Sequence, residues 1–312
     1  MDIAEVCAIL DLSLEQALAQ VKANFDVEAI LARRISPSDV VDYYDQCDGG
    51  YRRFHSAEGA LHLALNTAGG ATTSSFAEQG EFFLRHFDAC DGRHAIEFGS
   101  GAGYNLRWLA KRRPECTFLG VDLCEDHVRD AIRDSEGLEN LQFAVANYEH
   151  LMYGDASVCG VLAVETLCQT ADVHQALHEA RRLLRPGGRL VVIDCFRLQP
   201  LEIFAPELQQ AAQLVEKTTA VNAFSLLDEF RGAISADGFQ ELECVDLSAA
   251  TRSDLARLYK LARMYFKSPS IVRSAGRALK PKLIENAIAG LLMPFTVGYR
   301  AHGYYALAFE RM

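Results

Sequence analysis

The sequence predicts an α/β protein built on a doubly wound, mostly parallel, seven-stranded sheet. Three observations carry that prediction. Between His94 and Ile193, short apolar runs alternate with stretches of helical period, which is the pattern of parallel β-α units. A glycine loop, Gly99-Ser100-Gly101-Ala102-Gly103, follows the first of these runs and opens a helix. An acidic residue, Asp122, closes the second run 21 residues after Gly101. Sheets of this kind bind ligands at the carboxyl ends of their strands.

Residues 1–90 read as a helical cap. Ser13 and Gln16 form a capping box ahead of Leu14, Ala17, Leu18 and Val21 at helical spacing. Asp26 starts a second helix through Leu31, and Ser36-Pro37 is an N-cap followed by proline at the first helical position. From Tyr43 to His55 the text is dense in aromatic and polar groups and reads as a loop. A helix is expected over about Ser56–Leu65, then a Gly/Thr/Ser loop, then a helix over about Ser75–Phe87.

The core, 91–250, follows. Strands are expected at His94–Phe98, Thr117–Val121, Leu141–Val145, Val158–Val164 and Arg189–Ile193, with helices at Asn105–Arg113, His127–Ser135 and Val173–Leu184 between them. Pro186-Gly187-Gly188 marks a turn before the fifth strand. Helices at Pro206–Val221 and Leu226–Ala236 lead to a sixth strand at Phe239–Leu247. A basic helical insert, 251–301, precedes the last strand, which lies within 302–312.

Composition excludes several classes. Half of the 312 residues are hydrophobic and 23% are charged, as in globular domains rather than disordered or fibrous chains. No apolar run reaches the length of a membrane span, and the acidic start Met1-Asp2-Ile3-Ala4-Glu5 lacks the basic region of a secretory signal, so a cytoplasmic protein is expected. Nine scattered cysteines (Cys7, Cys47, Cys90, Cys116, Cys124, Cys159, Cys168, Cys195, Cys244) form no ligand-spaced pair and read as reduced thiols. A net charge of −11 disfavours nucleic acid as a partner. The charge is uneven: between Thr251 and Arg300, ten basic residues face only Asp254 and Glu285, leaving −19 on the remainder.

The loop chemistry narrows the function. Glycines let backbone approach a ligand, and the helix start offers free N–H groups. The spacing G-x-G-x-G, with Tyr at 104, departs from the dinucleotide fingerprint. A carboxylate at Asp122 can accept both hydroxyls of a ribose, and Asn147 ends the third strand where an adenine edge would lie. With Leu-Arg-Pro-Gly-Gly at 184–188 and the closing Gly303-Tyr304-Tyr305, the segment Asp91–Asp194 resembles the Rossmann-like core of class I S-adenosylmethionine-dependent methyltransferases. By that resemblance Glu97, Gly99, Gly101 and Gly103 hold the methionine part of S-adenosylmethionine, Asp122 and the adjoining Leu123 the ribose side, and Asn147 and Tyr148 the adenine, with Tyr44 closing from the cap.

Methyl transfer needs positioning and sometimes a base. Glu165, ending the fourth strand, is the expected base, with His55 as a second candidate; capping a helix or holding the cofactor ammonium are the competing roles for Glu165. Tyr51, Gln169, Phe196 and Phe224 are expected to line the acceptor site. Arg257 and Lys260, on the insert, are expected to bind an anionic acceptor, although a solvated face or a docking surface for an anionic membrane would use the same charges. The cap-and-insert layout resembles the sterol and terpenoid C-methyltransferase branch, including prenyl diphosphate methyltransferases. That likeness implies C-methylation of an isoprenoid alkene, with Mg²⁺ accompanying a diphosphate. The alternatives are O- or N-methylation of a polyketide, sterol or peptide product, or a cofactor-binding relative without transfer, such as a pericyclase. A small-molecule acceptor, and a monomer or homo-oligomer alike, are compatible with the sequence.

Overall fold

The computed structural model describes residues 10–66, 75–90, 93–268 and 280–312. The strands are β1 His94–Phe98, β2 Thr117–Asp122, β3 Leu141–Val145, β4 Val158–Val164, β5 Leu184–Arg197, β6 Phe239–Asp246 and β7 His302–Arg311. They form one seven-stranded sheet in the order β3-β2-β1-β4-β5-β7-β6. All neighbours are parallel except β7, which runs antiparallel to β5 and β6. The order reverses between β1 and β4, so the carboxyl ends of these two strands open a crevice. The Pro186-Gly187-Gly188 turn lies inside β5, at an irregularity where the pairing jumps from Val158–Leu184 to Gly160–Arg189.

The helices of the described residues are α1 Leu14–Asn24, α2 Val27–Leu31, α3 Pro37–Phe54, α4 Glu78–Phe87, α5 Tyr104–Arg112, α6 Glu125–Asp134, α7 Val173–Leu183, α8 Pro206–Thr218, α9 Leu227–Ala236, α10 Arg252–Lys267 and α11 Pro281–Gly298. The expected capping box forms at Ser13–Gln16, and Ser36, expected as an N-cap, closes a further box with Asp39 at the start of α3. Two expectations for the cap are corrected. Tyr43–Phe54 is helix, not loop: Gly50 lets α3 lie against Leu283 of α11, where a Cβ would come within 2.3 Å of the leucine Cδ1. Ser56–Leu65 is not helical; it is an extended strap, and Leu65 pairs with Ser75 in an isolated bridge.

Two apolar clusters cover the faces of the sheet, one around Phe83, Phe87 and Leu109 and one around Phe98, Leu190 and Phe309. A third joins Leu18 and Val21 of α1 to Val215, Tyr265, Leu291 and Phe295, so cap and insert share one core above the strand ends. No helix of the described residues is long and apolar enough to cross a membrane. None of the eight described cysteines is in a disulfide. Cys7, the Gly/Thr/Ser loop at 67–74, and Arg273 and Arg277 of the basic stretch lie outside the described residues.

Candidate active site

A cleft over the ends of β1, β2 and β4 is lined by Glu97, Gly99, Ser100, Gly101, Asp122, Leu123, Asn147 and Tyr148. All three loop glycines have positive φ: 62° at Gly99, 50° at Gly101 and 77° at Gly103. At Gly99 a Cβ would sit 2.0 Å from Thr166 Oγ1. Gly103 stays behind the cleft wall, packed on Phe143, and serves the loop by its conformation rather than by facing a ligand. Asp122 is aimed by backbone donors: Gly101 N–H reaches Oδ2 and Cys124 N–H reaches Oδ1, each at 2.8 Å. A carboxylate retains lone pairs after two such bonds, enough for a pair of ribose hydroxyls. Tyr148 stacks on Phe98 with centroids 5.1 Å apart and donates its hydroxyl to Thr166 O. Asn147 is exposed, and its Oδ1 accepts Glu149 N–H.

Glu97 is buried. Asn105 Nδ2 donates to its Oε1 at 2.8 Å, while Oε2 has no partner. Burial pushes its pKa up to about 8, with the Asn105 bond opposing. The buried Ser100 Oγ also lacks a partner. An orphaned carboxylate oxygen beside a glycine cradle and a sugar-type carboxylate fits an amino-acid-bearing nucleoside, and S-adenosylmethionine has that chemistry.

A second cavity, about 370 Å³, lies beneath α3, α10 and α11. Tyr51, His55, Asp194, Phe224, Leu258 and Met293 are among its walls. Tyr44, Leu61, Glu165 and Gln169 border both spaces. Tyr44 donates its hydroxyl to Gln169 Oε1 at 3.1 Å, and Gln169 Nε2 donates to Thr219 O. Glu165 has φ +48°, a conformation that costs energy without a glycine and turns its side chain into the junction. Its Oε1 accepts Leu63 N–H and the Tyr304 hydroxyl, both at 2.7 Å. Burial lifts its pKa to about 8, against those two bonds. Asp194, near the carboxyl end of β5, accepts Cys168 N–H and Cys195 N–H and is raised to about 6, chiefly by burial.

Several expected residues fall elsewhere. Phe196 turns to the opposite face of β5 and packs on Phe230 and Tyr305, so it lines neither space. Lys260 is exposed and outside the cavity. Arg257 is bound to Asp254 and His55 instead of lining the wall. Both ring nitrogens of His55 are engaged: Nδ1 accepts from Arg257 at 2.6 Å and Nε2 donates to His62 O at 2.9 Å. Burial lowers its pKa, but no free lone pair remains, which removes it as a base. Among the described residues no group of three or more His, Cys, Asp or Glu side chains is arranged to hold a metal ion. Asp194, Leu61, Tyr304 and Gln79 were not expected at the site from the sequence, although Tyr304 belongs to the closing Gly-Tyr-Tyr strand. Asp194 did carry a signal, since it directly follows the apolar run Leu190–Ile193 on the side of the sheet where Glu97 and Asp122 also lie near strand ends.

A family model described as a methyltransferase domain matches residues 96–192. The methyltransferase GfsG of Streptomyces halstedii is 28% identical over 222 residues, 69% of this chain and 77% of that protein. An uncharacterized 37.1 kDa protein in transposon TN4556 of Streptomyces fradiae is 36% identical over 123 residues, 39% of this chain and 36% of its own length. Two solved structures share the fold. The [4+2]-cyclase SpnF has a TM-score of 0.68 at 18% identity, over 88% of this chain and 96% of its own. A geranyl diphosphate methyltransferase in complex with GPP and sinefungin has 0.65 at 19%, over 88% and 98%. Sheet order, glycine loop and matched domain define a Rossmann-like, cofactor-dependent transferase. The matched core at residues 96–192 and the named relatives make the chain an S-adenosylmethionine-dependent methyltransferase.

Proposed function

We propose that the chain methylates a hydroxyl of a largely apolar, uncharged small molecule, with Glu165 as the base. The observation that carries this reading is the position of Glu165: it is the carboxylate that borders both the nucleoside cleft and the apolar cavity. S-adenosylmethionine supplies a methyl group on a sulfonium, a good leaving group for in-line displacement. The protein's part is binding and proton transfer. Glu97 holds the ammonium, Asp122 the ribose, and Leu123, Asn147 and Tyr148 the adenine side. Tyr44 and Gln169 form the partition between the two spaces. The acceptor oxygen loses its proton to Glu165 Oε2, and a base with a pKa near working pH suits that role. Cap (1–90) and insert (251–301) act as the covers of the acceptor space.

Prenyl diphosphate C-methylation is the second reading. The layout of cap, junction carboxylate and insert favours it, and alkene methylation also needs a base. Its anion site is where support is weaker. No described lining residue of the cavity is Lys or Arg. Arg257 is bound to Asp254, Arg263 to Asp11, and Arg300 to Asp246. An uncompensated diphosphate in such a space costs far more than its apolar tail returns. Purified chain with methyl-labelled cofactor, offered polyketide and sterol alcohols, phenols and amines beside prenyl diphosphates, tests both readings. Label in an uncharged alcohol, lost by about 10²–10⁴-fold in Glu165→Gln, supports the first. Label only in the diphosphates, with a Mg²⁺ requirement, replaces it with the second. Cofactor binding without turnover on any acceptor, as in a pericyclase-like protein, defeats both.

A further inference from the structure

We infer that Gln79 and Tyr304 are positioning residues that commit the Glu165 proton to Oε2, the oxygen left for the acceptor. Gln79 of α4 is fully buried and lines neither space. Its Nε2 lies 2.7 Å from Leu63 O and 3.3 Å from the Tyr304 hydroxyl. A backbone carbonyl only accepts, so the amide orientation is settled: the nitrogen faces Leu63 and its two hydrogens serve these two oxygens. The Tyr304 oxygen therefore accepts from Gln79, and its single hydrogen points to Glu165 Oε1. Leu63 N–H donates to the same oxygen. One side-chain amide thus ties down both donors of the junction carboxylate, closing a ring of four residues. With Oε1 receiving two hydrogens, a protonated Glu165 carries its proton on Oε2. That oxygen takes no hydrogen bond from the described residues.

The inference rests on Glu165 being the base. The other ionisable groups facing Glu165 are Asp194 and Cys195 of β5, Cys168 in the turn after β4, Asp254 of α10, and Tyr44 and Tyr51 of α3. Both Asp194 and Asp254 oppose ionisation, and the Leu63 and Tyr304 hydrogen bonds favour it.

The test is an infrared pH titration of the full chain, following the protonated-carboxyl stretch as a difference against Glu165→Gln, so that no acceptor is needed. Tyr304→Phe removes the donor and keeps the ring. The Glu165 midpoint is expected to rise by about one pH unit. 3-Fluorotyrosine at position 304 is a stronger donor of the same shape and is expected to lower it. Gln79→Leu frees both donors and is expected to raise the midpoint as Tyr304→Phe does. Melting curves confirm that each variant is folded. A midpoint unmoved by Tyr304→Phe and by fluorotyrosine, or moved with the opposite signs, overturns the inference. If Glu165→Gln removes no titrating band, the base assignment itself fails, an outcome separate from the first.

Discussion

Arg257 Nη2 stands 2.6 Å from His55 Nδ1 while the same guanidinium holds Asp254, so the insert's best-placed cation is used to clasp the cap. Asp254 is 2% exposed and also accepts Ala64 N–H at 3.0 Å, beside the Leu63 N–H that serves Glu165. The clasp therefore joins α10, the end of α3 and the strap that carries Leu63.

Arg257→Met leaves the Asp254 carboxylate buried without its counter-charge. Since the arginine is about a third exposed, the loss is expected at about 2 kcal/mol rather than the larger figure for a fully buried pair. Chemical denaturation measures it. Lys260→Met, on the solvent side, is expected to leave stability within about 0.5 kcal/mol. The KM of a prenyl diphosphate is expected to rise no more than that of a neutral acceptor in either variant. A selective rise would restore the anion site expected from the charge count.

Glu97 gives a prediction for cofactor binding. Burial holds its pKa near 8, so the ligand-free protein keeps the carboxyl protonated at pH 7. An ammonium at the unpartnered Oε2 favours the ionised form. Association with S-adenosylhomocysteine is therefore expected to release close to one proton at pH 7, and less above pH 8. Calorimetry in buffers of different ionisation enthalpy counts that proton. Glu97→Gln is expected to abolish the release and weaken binding by about 10-fold or more.

Strand ends were the legible part of this chain. Glu97, Asp122 and Glu165 each close an apolar run, and alternation of strands and helices fixes which end of the sheet they share. Relations across the chain were not legible. The pairing of Gln79 with Tyr304 spans 225 positions, and nothing local marks the two as partners. Arg257 could be placed on a helix, but not which acid it would meet. The misread loop at Tyr43–His55 has the same origin: Gly49-Gly50 disfavours helix locally, yet packing of Gly50 against Leu283 repays it. Phe196 failed on a smaller point, since an apolar strand buried on both faces does not reveal which face a residue takes.

Gly99 of the glycine loop and Gly137, in the turn after α6, separate conformational from steric cost. Gly137 has φ +87° with nothing within 4 Å of an added Cβ, so Gly137→Ala is expected to cost about 1 kcal/mol from the backbone alone. Gly99 has φ +62° and an added Cβ would overlap Thr166, so Gly99→Ala is expected to cost about 3 kcal/mol or more. Only the second change displaces the residue next to Glu165, so it alone is expected to weaken cofactor binding. Urea midpoints and calorimetry give both quantities; equal costs for the two alanines would contradict the packing described for the loop.

His62 sets the acid limit. It is buried, and its Nε2–H donates to Asn105 Oδ1, because the Asn105 amide nitrogen is committed to Glu97. Burial lowers its pKa from 6.5 to about 4. A histidine depressed in the folded state contributes stability in full above pH 6.5, and loses it as pH falls from 6.5 towards 4, by about 3 kcal/mol in all. Glu97 and Glu165 act with the opposite sign: their raised values make the folded state gain as pH falls from about 8 to 4.5. The wild-type profile mixes the two, so the diagnostic quantity is the difference from His62→Gln. Urea midpoints at pH 7.5 and pH 4.5 are expected to fall further in the wild type than in the variant, by the equivalent of about 2–3 kcal/mol. Parallel profiles would mean that Nδ1, which faces Leu63 O at 3.2 Å, takes up the proton as a donor to that carbonyl, and that the strap tolerates the charge.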